Sequence, residues 1–307
     1  MNSLVSVILP VWNGAGELDR ALASAVTQSH TNLEILVVDD GSSDATPCLI
    51  QRWQARDRRI RSFRQAQSGV ASARNRAIAE ARGEFIAPLD HDDIWAVDKI
   101  ASQLAAFDGA GDHLALVSCG WARIDADHRI MSQSVAPPGE DDTVMGLARR
   151  NFIVSSSIPL IRRAAALQIG GYSEDLRAAD AQGCEDYLIY LRLAERYAIA
   201  HVPSVLVGYR TSANTMSQDL DRMIRSYTIV AGELSTRHPA LRAVFEPGLV
   251  RLRRQKSTRA LRCGEWRQSW EIAAQILAAH PLMALSSYAT AAFNVLRRLW
   301  LGQTRTS

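Results

Sequence analysis

The chain is poor in cysteine, and the spacing of its few cysteines argues against two kinds of stabilising site. Four occur among 307 residues, and no two of them form a Cys-x-x-Cys pair. A structural zinc site and a disulfide framework therefore have little support, and a reducing cytoplasm is the expected compartment. The four are Cys48, Cys119, Cys184 and Cys263.

Long uncharged runs are also scarce, and the one that occurs is a poor match to a transmembrane helix. Residues 272–296 contain no Asp, Glu, Lys or Arg, which is long enough to cross a bilayer. Polar side chains dilute this run and Pro281 divides it, so we expect buried or interfacial helices instead. No signal peptide is expected either, because the strand-like run at residues 4–11 begins almost at Met1 without a basic flank.

The two ends of the chain differ in charge. The net charge is +3 overall, but residues 242–307 hold eleven Lys/Arg against three Glu, a net charge of +8 that leaves −5 for the remainder. A basic tail indicates an anionic surface partner, and membrane headgroups are one candidate. Trp266, Trp270 and Trp300 favour such docking. The alternatives are a solvated helical face and tryptophans packed between helices.

The first hundred residues alternate between strand and helix patterns. Short apolar runs at 4–9, 33–38 and 84–89 predict strands, and a weaker one is expected at 59–63. Helical spacing follows at 17–28, 45–55 and 69–81, with Ser43-Asp44 as an expected N-cap. Repeated β-α units predict a mostly parallel sheet flanked by helices. We therefore expect an α/β domain at residues 1–218, with α+β character after Asp93, and a helical C-terminal region at 219–307.

Two acidic clusters directly follow predicted buried strands. They are Asp39-Asp40-Gly41-Ser42 and Asp90-His91-Asp92-Asp93. A carboxylate is costly to bury, so these side chains are expected at the carboxyl edge of the sheet, where α/β proteins bind ligands. The first cluster suits a ribose or nucleobase, and an N-cap and turn is its alternative. The second suits Mg²⁺ or Mn²⁺ bound together with phosphates, and a solvated acidic turn is its alternative.

Two further segments carry candidate chemistry. Gly69 opens a helix whose backbone N–H groups suit an anion, with Arg74 adding donors, although a plain cap explains the glycine equally. Glu185-Asp186 stands at another predicted helix start. Acids are favoured there by the helix dipole, yet a carboxylate at that place also suits a general base.

The motifs together resemble a known family. In order they are Pro10-Val11-Trp12-Asn13, Glu17 with Leu22 and Gln28, Val38-Asp39-Asp40-Gly41-Ser42, Gly69-x4-Arg74-Asn75, Leu89-Asp90-His91-Asp92-Asp93 and Glu185-Asp186. This ordered set is similar to the inverting family-2 glycosyltransferases of the GT-A fold, over about residues 3–215. The resemblance implies a GT-A type, Rossmann-like, mostly parallel sheet flanked by helices.

The resemblance also implies roles for particular residues. Nucleotide-sugar binding falls to residues at the ends of the first strands and in the second acidic cluster: Pro10, Trp12, Asn13, Asp39, Asp40, Arg74, Asp90 and Asp92. Asp92 and Asp93 would hold Mg²⁺ or Mn²⁺, and Asp186 would be the base with Glu185 beside it. Trp12 stands where the family more often has Tyr. The loop at 210–217 lacks the family's His, which leaves Arg210 as its remaining candidate for a phosphate or acceptor contact.

The expected activity is inverting transfer of a sugar from a nucleoside diphosphate sugar, most simply a UDP-sugar, to an acceptor hydroxyl. The expected setting is bacterial surface polysaccharide or glycolipid synthesis. The acceptor would be a glycan or lipid-linked, the protein would touch the inner face of the cell membrane peripherally, and nucleic acid is not an expected partner. A nucleotidyltransferase is the alternative, but residues 10–16 hold no Lys or Arg. A non-catalytic sugar-nucleotide-binding module is the other, and the Glu185-Asp186 pair argues against it.

Overall fold

The computed structural model describes residues 2–135, 144–211 and 218–281. The chain divides into two compact units with the boundary between Gln218 and Asp219. The first unit is built on a sheet, and the second is helical.

The first unit begins with regular alternation of strand and helix, as the sequence predicts. The first two strands have every residue buried, which matches their continuous runs of apolar and β-branched side chains. The helices between the strands each bury one apolar face against the sheet. The elements are β1 Val5–Val11, α1 Leu18–Val26, β2 Leu33–Asp39, α2 Thr46–Arg56, β3 Ile60–Arg64, α3 Val70–Glu80 and β4 Phe85–Pro88.

The second half of this unit is less regular. Its long strands β6 and β9 pair in parallel, and β7 returns on β6 as a hairpin. The elements are β5 Ile94–Trp95, α4 Lys99–Phe107, β6 Leu114–Ile124, β7 Ile130–Ser134, α5 Val144–Arg149, β8 Leu160–Arg162, α6 Arg163–Gln168, α7 Asp175–Ala178, α8 Glu185–Ala194 and β9 Ala198–Arg210.

One mainly parallel sheet joins the strands of the described residues, in the order β3-β2-β1-β4-β8-β6-β9-β5, with β7 beside β6. The chain adds β2 and β3 on one side of β1 and then returns to place β4 on the other side. The carboxyl end of β1 is therefore a topological switch point, the place where open α/β sheets form a ligand crevice. Both acidic clusters follow strands that border this crevice.

The predicted sheet with flanking helices is confirmed, and the differences are local. The weak strand expected at 59–63 is present as β3. Strands β5 and β8 were not predicted, because two and three residues are too few to show a period of two. At the expected N-cap of α2, Asp44 Oδ1 accepts a hydrogen bond from Thr46 N over 3.0 Å.

The second unit contains three helices within the described residues, α9 Leu220–Arg237, α10 Leu241–Arg262 and α11 Trp266–Ala279. Val250 of α10 packs with Ile272 and Ile276 of α11 in a small apolar core. Gly264 joins these helices with a φ of +81°, the left-handed conformation that ends many helices. None of the described helices is long and apolar enough to cross a membrane. Most of the uncharged run, Trp300 and the loop residues 212–217 lie outside the described residues.

Candidate active site

The loops that follow β1 and β2 are joined by Asn13. Its backbone N–H donates to Ser42 Oγ over 2.9 Å, and its side-chain Oδ1 accepts from Ser43 N over 2.8 Å. Asn13 has a φ of +49°, which turns the chain away from the strand end. Pro10 is buried within β1, whereas Trp12 is 50% exposed at the switch point. Of these three predicted donor-binding residues, Trp12 offers an open aromatic face.

Asp39 is buried at the end of β2 with one oxygen only weakly engaged. Its Oδ1 accepts a hydrogen bond from Ser42 N over 2.9 Å. No described group donates a hydrogen bond to its Oδ2, and Arg64 Nε lies 3.5 Å from that atom. A buried acceptor without a donor is costly, so a ligand hydroxyl or N–H would be stabilised there.

Asp40 is buried and accepts three hydrogen bonds. Oδ1 accepts from Gln65 Nε2 over 2.9 Å and from Ser68 N over 2.7 Å, and Oδ2 accepts from Gly69 N over 2.7 Å. These contacts hold residues 65–69 against β2 at the start of α3. They favour a role in shaping the pocket, and the predicted direct contact of Asp40 with a donor stays a prediction.

Asp90 is held by a cation and a hydroxyl from distant parts of the chain. Its Oδ1 accepts from Arg74 Nη2 over 2.6 Å, and its Oδ2 accepts from Ser156 Oγ over 2.8 Å. Burial acts to raise the pKa of Asp90, but Arg74 and Ser156 outweigh it and hold that pKa below its usual value. Asp90 is therefore a carboxylate fixed in place.

Arg74 is buried, contrary to the open anion-binding side chain that a helix start suggests. Its Nη2 also approaches Ser156 Oγ to 2.6 Å, and its guanidinium lies 5.1 Å from the centre of the Tyr172 ring. Nε has no hydrogen-bond partner in the described part of the chain. These contacts favour support of Asp90 over direct binding of a phosphate.

Asp93 and Asp92 differ in burial and in the hydrogen bonds that their carboxylates accept. Asp93 is 1% exposed, and its oxygens accept from Ser155 Oγ over 2.8 Å and from Arg210 N over 2.9 Å. The Asp92 carboxylate is half-buried and accepts no side-chain hydrogen bond from the residues described. Burial raises the pKa of Asp92, and the charge of Asp90 adds to that rise.

These residues fit a divalent cation held in part by a ligand. No group of three metal-binding side chains converges among the described residues. Mg²⁺ in phosphate-transferring sites needs only one or two carboxylates, because phosphate and water oxygens complete its shell. Asp92 accepts no hydrogen bond from another described side chain, so a cation would offset the cost of its burial, whereas Asp93 is already engaged by Ser155 and Arg210. Asp92 is the better-placed direct ligand of the predicted pair.

Arg210 connects the acidic turn to neighbouring elements. Nε donates to the Asp92 carbonyl over 3.0 Å, Nη1 donates to the Asp125 carbonyl over 2.8 Å, and Nη2 lies 3.1 Å from His128 Nδ1 and 3.5 Å from Glu17 Oε2. The side chain is buried. Its contacts favour a structural role over the predicted contact with phosphate or acceptor.

Glu185 and Asp186 form the first turn of α8. Glu185 is 4% exposed and accepts from Gly183 N over 2.8 Å, which fixes the loop before the helix. Asp186 is half-buried, and its Oδ1 accepts from Tyr187 N over 2.7 Å. Burial raises the pKa of Asp186 to about 7, the positive charge of Arg74 opposes the rise, and Glu185 adds to it. At neutral pH such a carboxylate can take up and release a proton.

Comparison with known proteins identifies the family. Residues 6–170 match the model of Glycosyl transferase family 2. The chain belongs to this family. Its predicted resemblance is thereby confirmed.

Curated relatives of this chain match over part of their length. The putative teichuronic acid biosynthesis glycosyltransferase TuaG of Bacillus subtilis is 40% identical over 102 residues, which are 33% of this chain and 40% of TuaG. The putative glycosyltransferase EpsH of the same organism is 33% identical over 138 residues, 45% of this chain and 39% of EpsH. An uncharacterized glycosyltransferase of Rickettsia typhi is 36% identical over 40% of this chain and 37% of its own. The chain thus aligns with well under half of these relatives' length.

Solved structures share the fold. S. aureus TarS 1-349 in complex with UDP-GlcNAc has a TM-score of 0.63 at 18% identity, covering 78% of this chain and 71% of that one. The mannosyltransferase PcManGT from Pyrobaculum calidifontis, in complex with GDP-Man and Mn²⁺, has a TM-score of 0.62 at 20% identity, covering 98% and 83%. The predicted GT-A fold is confirmed.

Sequence reasoning missed the residues that support the acidic side chains of the site. Ser155, Ser156 and Ser157 are buried beside the acidic turn, and Ser157 Oγ accepts from Asp90 N over 2.9 Å. Three consecutive hydroxyl residues before an apolar strand were the available signal, because buried hydroxyls need partners. Asn75 was also given no role, although it exchanges hydrogen bonds of 2.8 Å with the backbone of Tyr172. That pairing brings Tyr172 to Arg74.

Proposed function

We propose that this glycosyltransferase moves a sugar from a nucleoside diphosphate sugar to an acceptor hydroxyl with inversion at the anomeric carbon. One observation carries the proposal. Asp186, a half-buried carboxylate with a pKa of about 7, lies near enough to Arg74 and Asp90 for their charges to shift that pKa. A proton acceptor and the acidic turn expected to meet the donor thus belong to one electrostatic cluster.

The proposed reaction is a single displacement. Asp186 takes the proton of the acceptor hydroxyl while the acceptor oxygen bonds to the anomeric carbon. The bond from that carbon to the diphosphate oxygen breaks on the opposite face, and the nucleoside diphosphate departs with the electron pair. Attack opposite the leaving group inverts the configuration, and one general base is sufficient for this chemistry.

A divalent cation fits the leaving-group side of this scheme. Asp92 would hold Mg²⁺ or Mn²⁺, with Asp93 supporting the turn through Ser155 and Arg210. Such an ion, when bound, offsets the charge that develops on a departing diphosphate. Asp90, fixed by Arg74 and Ser156, would position the ribose or diphosphate beside it.

We propose UDP as the nucleotide of the donor. Trp12 offers a half-exposed aromatic face at the switch point for the base. Oδ2 of Asp39, which accepts no hydrogen bond from a described group, is an acceptor for a nucleoside N–H or hydroxyl. TarS, a neighbour in fold, was solved with UDP-GlcNAc. PcManGT was solved with GDP-Man, so GDP-sugars are the alternative donors against which UDP-sugars must be compared.

A thermal-shift screen tests this proposal. The protein is heated with UDP-, GDP- and other nucleotide sugars, each with Mn²⁺ and with a chelator. A UDP-sugar at about one hundred times its Kd should raise Tm by roughly 5–10 °C with Mn²⁺ and by less with the chelator. Stabilisation by GDP-sugars alone would refute the UDP assignment. Release of free UDP from a stabilising donor would separate an enzyme from a non-catalytic binding module.

The proposal also covers the acceptor of the sugar and the location of the protein. The names of TuaG and EpsH favour a role in bacterial surface polysaccharide or glycolipid synthesis, with a glycan or lipid-linked acceptor. We place the protein in the cytoplasm, with peripheral contact at the inner face of the cell membrane through the basic C-terminal region. Transfer from the donor to membrane extracts, compared with soluble glycans, tests the acceptor.

A further inference from the structure

Two tryptophans of α11 are exposed to an unusual degree. Trp266 is 63% exposed and Trp270 is 73% exposed, whereas Trp53 and Trp95 of the first unit are 9% and 6% exposed. A tryptophan is the largest side chain, so each exposed indole leaves a large apolar area in water. Single exposed apolar residues are ordinary, but neighbouring ones mark a contact surface.

The exposed side chains share one side of the helix. Trp270 is one turn from Trp266, and Leu277, which is 48% exposed, is two turns further along the same side. We call these three residues the tryptophan stripe. The buried residues Ile272 and Ile276 lie on a different side, against α10. Neither indole N–H of the stripe has a hydrogen-bond partner in the described part of the chain, so both remain available to a polar group.

The neighbouring helix supplies positive charge. α10 carries seven Lys/Arg and one Glu, and it packs against α11. Arg251, Arg254 and Arg262 are exposed on it. Exposed indoles on one helix and basic side chains on the helix packed against it match the headgroup region of an anionic bilayer, where phosphates meet guanidinium groups and indoles lie at the boundary of the acyl chains.

We propose that the tryptophan stripe docks on an anionic lipid surface, with the arginines of α10 supplying the attraction. A lipid surface is favoured over a protein partner because the stripe is one helix long and the adjoining helix α10 carries an excess of positive charge. The inference deepens the peripheral membrane contact of the proposed function and rests on that part alone. Binding through the stripe requires no donor or acceptor.

Vesicle flotation tests the docking surface. The full chain is mixed with phosphatidylcholine vesicles with or without phosphatidylglycerol, at low and high salt. The test variant combines Trp266→Ser and Trp270→Ser. The matched control combines Ile130→Ser and Met131→Ser, which removes two apolar side chains of 62% and 59% exposure from β7 of the first unit. Circular dichroism and the donor thermal shift show that each variant is folded.

The proposal expects the wild type and the control to float with anionic vesicles, and expects salt to weaken that binding. The tryptophan variant should partition at least about tenfold less, since each buried indole contributes strongly. Arg251→Gln with Arg254→Gln should weaken binding to anionic vesicles and leave donor binding unchanged.

Several results would overturn the proposal. They are flotation of the tryptophan variant at the wild-type level, and equal wild-type binding to vesicles with and without phosphatidylglycerol. Iodide quenching without vesicles adds a third test. The fluorescence of Trp266 and Trp270 is the difference between wild-type and variant emission. If iodide does not quench that fluorescence in the wild type, another part of the chain or a second copy covers the stripe. If nucleotide sugars do not raise the Tm of the wild type, that result counts against the proposed sugar transfer and leaves the docking surface untouched.

Discussion

Arg74 donates a hydrogen bond from Nη2 to Asp90 Oδ1 over 2.6 Å, and the side chain of Arg74 is 6% exposed in this ion pair. The pair joins helix α3 to the turn after β4. Because the guanidinium also packs over Tyr172 and influences Asp186, one buried cation is shared by the acidic turn and the candidate base. Arg74 therefore lowers the pKa of both Asp90 and Asp186.

Substitution Arg74→Gln should destabilise the protein strongly. Asp90 would lose its cation and remain in a poorly hydrated place, so the free energy of unfolding should fall by about 3 kcal/mol. Denaturant unfolding measures the loss. Arg64→Gln is the matched control, because Arg64 lies 3.5 Å from Asp39 but its side chain is 61% exposed. That ion pair should contribute no more than about 1 kcal/mol. Equal losses in the two variants would contradict the role of Arg74.

Substitution of Asp92 should affect mainly metal binding, whereas substitution of Asp93 should affect mainly stability. Asp92→Ala should remove the enhancement of donor binding by Mn²⁺ and leave the unfolding free energy within about 1 kcal/mol of the wild type. Asp93→Ala should lower that free energy by about 1–3 kcal/mol, because Ser155 Oγ and Arg210 N each lose an acceptor. Calorimetric titration with Mn²⁺ and donor, beside denaturant unfolding, measures both. The opposite pattern would make Asp93 the direct ligand.

Asp40→Asn should loosen residues 65–69. The two backbone donors Ser68 N and Gly69 N require an acceptor on each side of the carboxylate, and an amide presents one acceptor and one donor group. Hydrogen exchange at those two amides should accelerate, and donor affinity should fall. Asp44→Asn is the control, since Asp44 is exposed and lies in the same β2–α2 connection. If hydrogen exchange at Ser68 N and Gly69 N is unchanged in the Asp40 variant, a loss of affinity would indicate direct contact between Asp40 and the nucleotide sugar.

The sequence predicted the early strands well because their burial is continuous. β1 and β2 have all seven residues buried, so each appears as a mostly apolar run, interrupted only by Ser6 in β1 and by Glu34 and the terminal Asp39 in β2. β8, by contrast, is three residues long and is specified by its antiparallel neighbours β4 and β6. Pairing between distant segments leaves no periodic mark in the sequence, and such short strands follow from tertiary structure.

The acids of the site could be predicted, and their partners could not. Asp90 follows a buried strand, which places it at the carboxyl edge of the sheet. Its partners Arg74 and Ser156 are separated from it by 16 and 66 positions, so only the folded chain brings them together. The same limit applies to Asp40, whose position was expected but whose three internal hydrogen bonds were not.

Asp186→Asn should abolish transfer and spare donor binding. Asn keeps the shape of the carboxyl group but cannot accept a proton from the acceptor, and a general base contributes about 10²–10⁴-fold to the rate. Single-turnover transfer and the donor thermal shift measure the two properties. Glu185→Gln is the neighbouring control, because Glu185 accepts a hydrogen bond from Gly183 N and serves the loop. Full transfer by the Asp186 variant would refute the base assignment.

The same carboxyl group predicts opposite effects of pH on activity and stability. The wild-type kcat should rise with pH through a midpoint near 7, because burial raises the pKa of Asp186 to about 7 and only the ionised form can act as base. An unfolded Asp titrates near 4, so the folded protein bears the cost of ionising Asp186 progressively between about pH 4 and pH 7. Asp186→Asn should therefore be more stable than the wild type at pH 8, and that difference should vanish near pH 4. A constant stability difference across this range, measured by denaturant unfolding, would show that Asp186 has an ordinary pKa.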